Sequence, residues 1–187
     1  REGVKVYPEI LAQKLSEGNE VKIINSGIPK NTTRDALARF SKDVLEQNPD
    51  IVIIQFGLND AAVDVWEPPP QSLPRIPVAE FAKNIENFVS QLRSKDVRVI
   101  LMTPNPMRWT PLLKDLYGKP PYIVGEAGGI NVPLNPYLAA IREISTRMKV
   151  ELVDVNAIFE NLEARQESKV YDLLLDGIHP NSAGHHV

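Results

Sequence analysis

The chain contains no cysteine, so no disulfide, thiolate zinc site or cysteine nucleophile enters its chemistry; the redox compartment stays open. It has no run of about 18 apolar residues, the length that a membrane-spanning helix needs. Nor is there a block of about five basic residues to neutralise nucleic-acid phosphates, and the formal net charge is -3, from 21 Lys and Arg against 24 Asp and Glu. A nucleic-acid partner is therefore not expected. Residues 1–6 offer neither an apolar h-region nor a small-residue cleavage site, so they do not read as a signal peptide. His185 and His186 are adjacent, and neighbours on a helix do not face each other; with no acidic cluster beside them, no metal site is expected. What remains is a chain of 187 residues, 43% hydrophobic and 24% charged, enough to bury one substantial core. Residues 1–187 are read as a single domain.

Hydrophobic periodicity alternates along the chain. Residues 7–15 carry Ile10, Leu11 and Leu15 at helical spacing with Pro8 in the first turn, and Gly18 is read as the stop. Residues 21–24 form a short apolar run before Asn25-Ser26-Gly27 and predict a strand. Thr32 or Thr33 caps a helix reaching Leu45, with Ala36, Leu37, Phe40 and Val44 on one face. Residues 50–56 (DIVIIQF) and 97–102 (VRVILM) read as strands covered on both faces. Between them, Phe81, Ile85, Phe88, Val89 and Leu92 predict a helix over 78–95. Leu138, Ile141, Ile144 and Met148 mark another helix, and residues 150–155 a last strand. Such alternation calls for a parallel α/β sheet with helices on both faces. A further helix is expected to begin near residue 187.

Two connections, 57–77 and 103–136, far exceed the usual handful of residues. Twelve of the sixteen prolines fall between Pro68 and Pro136, which stiffens both. Both leave the carboxyl ends of strands, where ligands bind in open parallel sheets; the plainer reading is surface insertion. Trp66 and Trp109, one in each loop, suit either stacking against a sugar ring or anchoring the loop. Arg108 is a candidate contact to a polar substrate.

Three segments carry chemistry. In DGIHP (176–180), Asp176 sits three residues before His179, where it can accept the ring Nδ1 proton, fix the tautomer and present Nε2 as a general base. Alone, such a pair is equally at home in a surface turn. GLND (57–60) follows a buried strand directly, and the Asn59 amide suits donation to a developing oxyanion or, more plainly, capping of a loop. Asp60 reads as a local cap or turn residue rather than a catalytic acid. NSGIPKNTT (25–33) leads to a helix N-terminus whose backbone N–H groups can bind an oxyanion.

In order and spacing these segments resemble the SGNH (GDSL-type) hydrolase family over almost the whole chain. The resemblance implies a flavodoxin-like three-layer α/β/α sandwich and a serine ester hydrolase with no metal or organic cofactor. In it Asn59 is an oxyanion donor, Asp176 and His179 complete a Ser-His-Asp triad, and Gly27 and Gly57 belong to the oxyanion and substrate-binding blocks. Two departures stand out. The Gly-Asp-Ser block is absent, and neither Ser26 nor Ser182 replaces it; the nucleophile and first strand are expected upstream of Arg1, in a polypeptide longer at both ends. Without that strand, unpaired backbone groups inside the sheet would cost several kcal/mol in total. Lys30 stands where the family has the glycine whose backbone N–H faces the oxyanion. If that position needs a positive φ, lysine costs about 1 kcal/mol or more, and its side chain threatens to crowd the acyl pocket.

The long stiff loops tilt the substrate toward an acetylated carbohydrate, which would favour a secreted or periplasmic location. A small-ester or lysophospholipid hydrolase and a non-catalytic carbohydrate-binding relative are the alternatives.

Overall fold

Helix α1 (Tyr7–Leu15) opens the computed structural model of the chain, which describes residues 3–17 and 20–187. The expected stop at Gly18 lies outside the described residues. After it, residues 21–24 differ from expectation and form no strand. Val21, Ile23 and Ile24 are 37–43% exposed and find no ladder partner among the described residues, and a lone apolar run cannot be a strand without one.

Helix α2 (Thr33–Asp43) begins at a capping box in which the Asp35 carboxylate accepts the Thr32 backbone N–H at 2.8 Å. It ends before Leu45, whose own residues turn in a 3-10 helix (Leu45–Gln47). Strand β1 (Ile51–Gln55) follows and runs into the one-turn helix α3 (Leu58–Ala61). Helix α4 (Val78–Arg93) then returns the chain to strand β2 (Arg98–Met102). Beyond helix α5 (Pro111–Tyr117), helix α6 (Asn135–Met148) makes the second crossover, to strand β3 (Glu151–Val153), and helix α7 (Val155–Ala164) comes last.

The three described strands are parallel in the order β1-β2-β3, with Ile54, Leu101 and Leu152 in register. The fold is thus the expected α/β arrangement of a parallel sheet with helices. Helix α4 packs against both α2 and α6, and α4 and α6 lie against one face of the sheet; on α4, Phe81, Phe88, Ile85 and Leu92 are at most 1% exposed. Burial of each such side chain stabilises by roughly 1.5–3 kcal/mol. Phe88 lies 4.7 Å from Phe40 and 6.1 Å from Phe56, tying α2, α4 and the end of β1 together. On the opposite face, Ile53 and Ile100 are only half-buried and Ile51 is exposed, so among the described residues the two faces are unequally covered.

The last strand stops earlier than expected because Asp154 caps α7. Its carboxylate accepts the Ala157 backbone N–H at 3.1 Å and a two-toothed contact from Arg142. Residues 182–186, just before the place where a helix is expected to begin, form turns, with the Asn181 side chain accepting the Gly184 N–H at 3.0 Å.

The two long connections pack on each other. Val63 and Val65 from the first meet Leu113, Tyr122 and Ile130 from the second in a small separate core, and Trp109 and Tyr117 lean on it. The buried Tyr122 hydroxyl bonds both the N–H and the carbonyl of Val63, at 2.9 and 3.2 Å. Burial pushes its pKa up to about 12. Together the loops form a packed unit around this small core.

Candidate active site

Strand β1 must turn sharply to enter α3, and Gly57 makes the turn at φ 133°, a conformation L side chains avoid. The turn delivers Asn59 to the carboxyl edge of the sheet. There a cleft of about 200 Å³ is lined by Gly27, Ile28, Asn31, Gln55, Phe56, Gly57, Leu58, Asn59, Pro104 and Asn105. Three of the residues singled out in the sequence, Gly27, Gly57 and Asn59, therefore share one cleft.

The Asn59 amide is held at both ends. Its Nδ2 donates to the Asn31 carbonyl at 3.1 Å, and its Oδ1 accepts from Arg75 Nη1 at 3.3 Å. The loop it meets is fastened from α2, because Arg39 donates to the Asn31 side chain at 3.0 Å and to the Ser26 carbonyl at 2.9 Å. Ser26 in turn donates its hydroxyl to the Asp43 carbonyl at 2.9 Å, a structural use.

Asp60 differs from a local cap. Fully buried, it accepts the backbone N–H and the hydroxyl of Thr33 at 2.8 and 2.6 Å, clamping the start of α2 against α3. Burial raises its pKa against the opposing pull of those hydrogen bonds, and its second oxygen has no partner among the described residues.

Lys30 occupies a tight turn in which the Asn31 N–H donates to the Ile28 carbonyl at 3.2 Å. Pro29 precedes it and its φ is 70°, the pattern of a type II turn that favours glycine at this place. The side chain is exposed and Lys30 is not among the cleft-lining residues. Lys30→Gly is expected to remove a left-handed strain of about 1–2 kcal/mol and to give back about 0.5–1 kcal/mol through backbone entropy. The net rise in Tm is a few degrees at most, roughly 1–4 °C, readable by calorimetry; a fall in Tm would mean the turn needs lysine for another reason.

The turn at 176–180 is closed by its own aspartate. Asp176 Oδ1 accepts the backbone N–H groups of Ile178 and His179 at 3.0 and 2.9 Å, and its Oδ2 lies 2.9 Å from His179 Nδ1. Burial opposes the charged carboxylate, yet these backbone and ring N–H groups outweigh it and hold the Asp176 pKa below its ordinary value. Gly177, at φ 87°, lets the turn lie flat against residues 108–113, where an added Cβ would stand 2.4 Å from the Arg108 carbonyl oxygen and 2.8 Å from Thr110 Cγ2. Gly177→Ala is therefore expected to destabilise by about 2–4 kcal/mol, a Tm loss of roughly 5–15 °C. An unchanged melting curve would show that the turn is not held against that segment in solution.

One residue links this turn to the cleft. Asn105, 4% exposed and between two prolines after β2, lines the cleft and donates Nδ2 to the Ile178 carbonyl at 2.8 Å. Sequence reasoning passed over it, although an Asn in TPNP at the carboxyl end of a buried strand carries the same signal as Asn59. It also passed over Arg75.

Other singled-out residues lie elsewhere. Trp109 donates its indole N–H to the Glu126 carbonyl at 3.0 Å and packs edge-on against Tyr122 at 6.5 Å; it serves as a loop anchor and is not among the cleft-lining residues. Arg108 is spent on Glu160 and Glu163 at 3.0 and 2.6 Å. Trp66 is 46% exposed. No cluster of three metal-ligating side chains occurs among the described residues, and no helix among them is long and apolar enough to cross a membrane. A larger open depression of about 420 Å³, bordered by Glu163, Gln166, Ser168 and Lys169, includes none of the candidate residues.

An uncharacterized lipoprotein of Bacillus subtilis, YqeF, is 33% identical over 144 residues, 75% of this chain and 57% of its own length. The chain thus spans little more than half of that relative. An acetylxylan esterase of Geobacillus stearothermophilus is 28% identical over 184 residues, 96% of this chain and 70% of the relative. The crystal structure of the acetylxylan esterase Axe2 from Geobacillus stearothermophilus superposes with a TM-score of 0.76 at 24% identity, covering 97% of this chain and 76% of that one, a likeness of fold. The sequence pattern of one family runs through residues 2–187, and the chain belongs to that family, the GDSL-like lipases and acylhydrolases.

Proposed function

We propose that the protein is a serine carboxylic-ester hydrolase that removes acetyl or other short acyl groups from a carbohydrate. In this reading His179, oriented by Asp176, takes the proton of a serine expected upstream of Arg1 and returns it to the leaving alcohol. The tetrahedral oxyanion is held by the Asn59 amide, the Lys30 backbone N–H and the N–H of that serine. The reading rests above all on the Asp176 carboxylate lying 2.9 Å from His179 Nδ1, in a turn that Asn105 fastens to the cleft holding Asn59. A cleft of about 200 Å³ with Ile28, Phe56, Leu58 and Pro104 in its wall suits a short acyl group rather than a fatty chain.

The carbohydrate portion is supported by the relative described as an acetylxylan esterase. A second reading, hydrolysis of small acyl esters, is favoured by human, mouse and rat relatives described as isoamyl acetate-hydrolyzing esterase 1 homologs, at 28–29% identity. Trp109, half-buried and bonded to the Glu126 carbonyl of its own loop, serves there as an anchor rather than as one of the two expected sugar platforms. The experiment compares acetate release by the full-length protein from acetylated xylo-oligosaccharide and from isoamyl acetate. A higher kcat/KM on the oligosaccharide is expected; preference for isoamyl acetate selects the second reading, and no release from either substrate overturns both.

A further inference from the structure

We infer that Arg75 is a positioning residue for the oxyanion donor, working through the Asn59 amide; this rests on the esterase reading above. Five N–H groups radiate from a guanidinium in a fixed fork. In Arg75, Nε and Nη2 grip both oxygens of the Asp64 carboxylate at 2.7 Å each. Asp64 is 9% exposed and anchors a turn through its own carbonyl, which accepts the N–H groups of Glu67 and Gln71 at 3.2 Å each. The fork is thus fixed from behind, and the Nη1 that remains points at Asn59 Oδ1, 3.3 Å away.

That contact decides which way the amide faces. With Oδ1 toward Arg75 and Nδ2 toward the Asn31 carbonyl, each end of the amide meets its complement. Rotated by half a turn, the amide would set oxygen against the Asn31 carbonyl and NH₂ against the guanidinium, two repulsive pairs for two attractive ones. An Nδ2 group carries two hydrogens. One is committed to Asn31, so the fixed orientation presents the second to the cleft that Asn59 lines. A cation donating to Oδ1 also draws electron density from the amide nitrogen, which strengthens that second N–H as a donor where negative charge develops. Asn59 supplies the contact to the reacting atoms, Arg75 its aim, and Asp64 the aim of Arg75.

The test is a kinetic cycle in the full-length protein with p-nitrophenyl acetate. Arg75→Lys keeps a cation beside Asp64, so the buried carboxylate is not stranded, but an ammonium cannot grip it and reach Asn59 together. The expected result is a fall in kcat of about tenfold with KM changed by less than about twofold, and melting close to the parent. Added to Asn59→Ala, the same substitution is expected to bring no further loss, since residues acting through one group are not additive. An unchanged kcat in Arg75→Lys, or losses that multiply in the double variant, overturns the inference while leaving the esterase reading standing. Absence of activity in the parent protein defeats that reading instead. The inference is then decided by the side-chain amide resonances of Asn59, which Arg75→Lys must shift; coincident resonances overturn it.

Discussion

Replacing His179 by alanine in the full-length protein is expected to lower kcat on p-nitrophenyl acetate by about 10,000-fold or more. The loss is large because removing the imidazole leaves Asp176 with no base to orient toward the serine proton. Asp176 uses both oxygens on this turn, at 2.9–3.1 Å from the backbone N–H groups and the ring nitrogen. Asp176→Asn should also be severe, because an amide NH₂ facing Nδ1 favours the wrong tautomer. The pH profile separates the two groups. Hydrogen bonds hold the Asp176 pKa below its ordinary value in spite of burial, so this carboxylate stays charged below the ordinary carboxylate range, while only a neutral imidazole can accept the serine proton. The stability that Asp176 contributes is present above the ordinary carboxylate range and is lost only as pH falls through its lowered value. A rate that stays flat to about pH 4, where histidine is ordinarily fully protonated, or a His179→Ala variant with more than a tenth of the parent rate, removes His179 from the mechanism.

Asn59→Ala is expected to cost about 100- to 1,000-fold in kcat, the magnitude of losing one oxyanion donor, with KM little affected. Asn59→Asp should be worse. Its carboxylate would oppose the Asn31 carbonyl now 3.1 Å from Nδ2 and repel the developing oxyanion. Because Asp60, not Asn59, clamps α3 to α2 through Thr33, the Asn59 variants should melt within a few degrees of the parent. Wild-type turnover in Asn59→Ala would assign the amide to loop capping alone.

Elements made by local pattern were legible. Helices α1, α4 and α6 and strands β1 and β2 were read within a few residues, because each carries an unbroken apolar face or a β-branched run. The run at 21–24 has the same composition, yet a strand is a pairing and not a composition, and no described neighbour pairs with it. Helix α7 was missed although Val155, Ile158, Phe159 and Leu162 recur at helical spacing. The preceding apolar strand masked its start, and only the Asp154 cap marks the boundary. Lys30 shows the opposite balance. The motif left open whether its place needs a positive φ, and the structure gives a φ of 70°; the direction of its side chain, out to solvent, could not be read either.

The sequence by itself determined the parallel α/β fold, the family and the candidate groups Asn59, Asp176 and His179, because periodicity and short motifs are local and survive without coordinates. Only the tertiary structure decided how those groups are held: Asn105 binding the histidine turn to the cleft, Arg75 and Asp64 aiming the amide, Asp60 locking α3 to α2, and Trp109 turned to its own loop. Each of these is a hydrogen bond between residues at least 11 positions apart, and in several cases more than 15. Such bonds depend on where the chain's packed layers bring distant segments together, a distance that no spacing along the chain encodes.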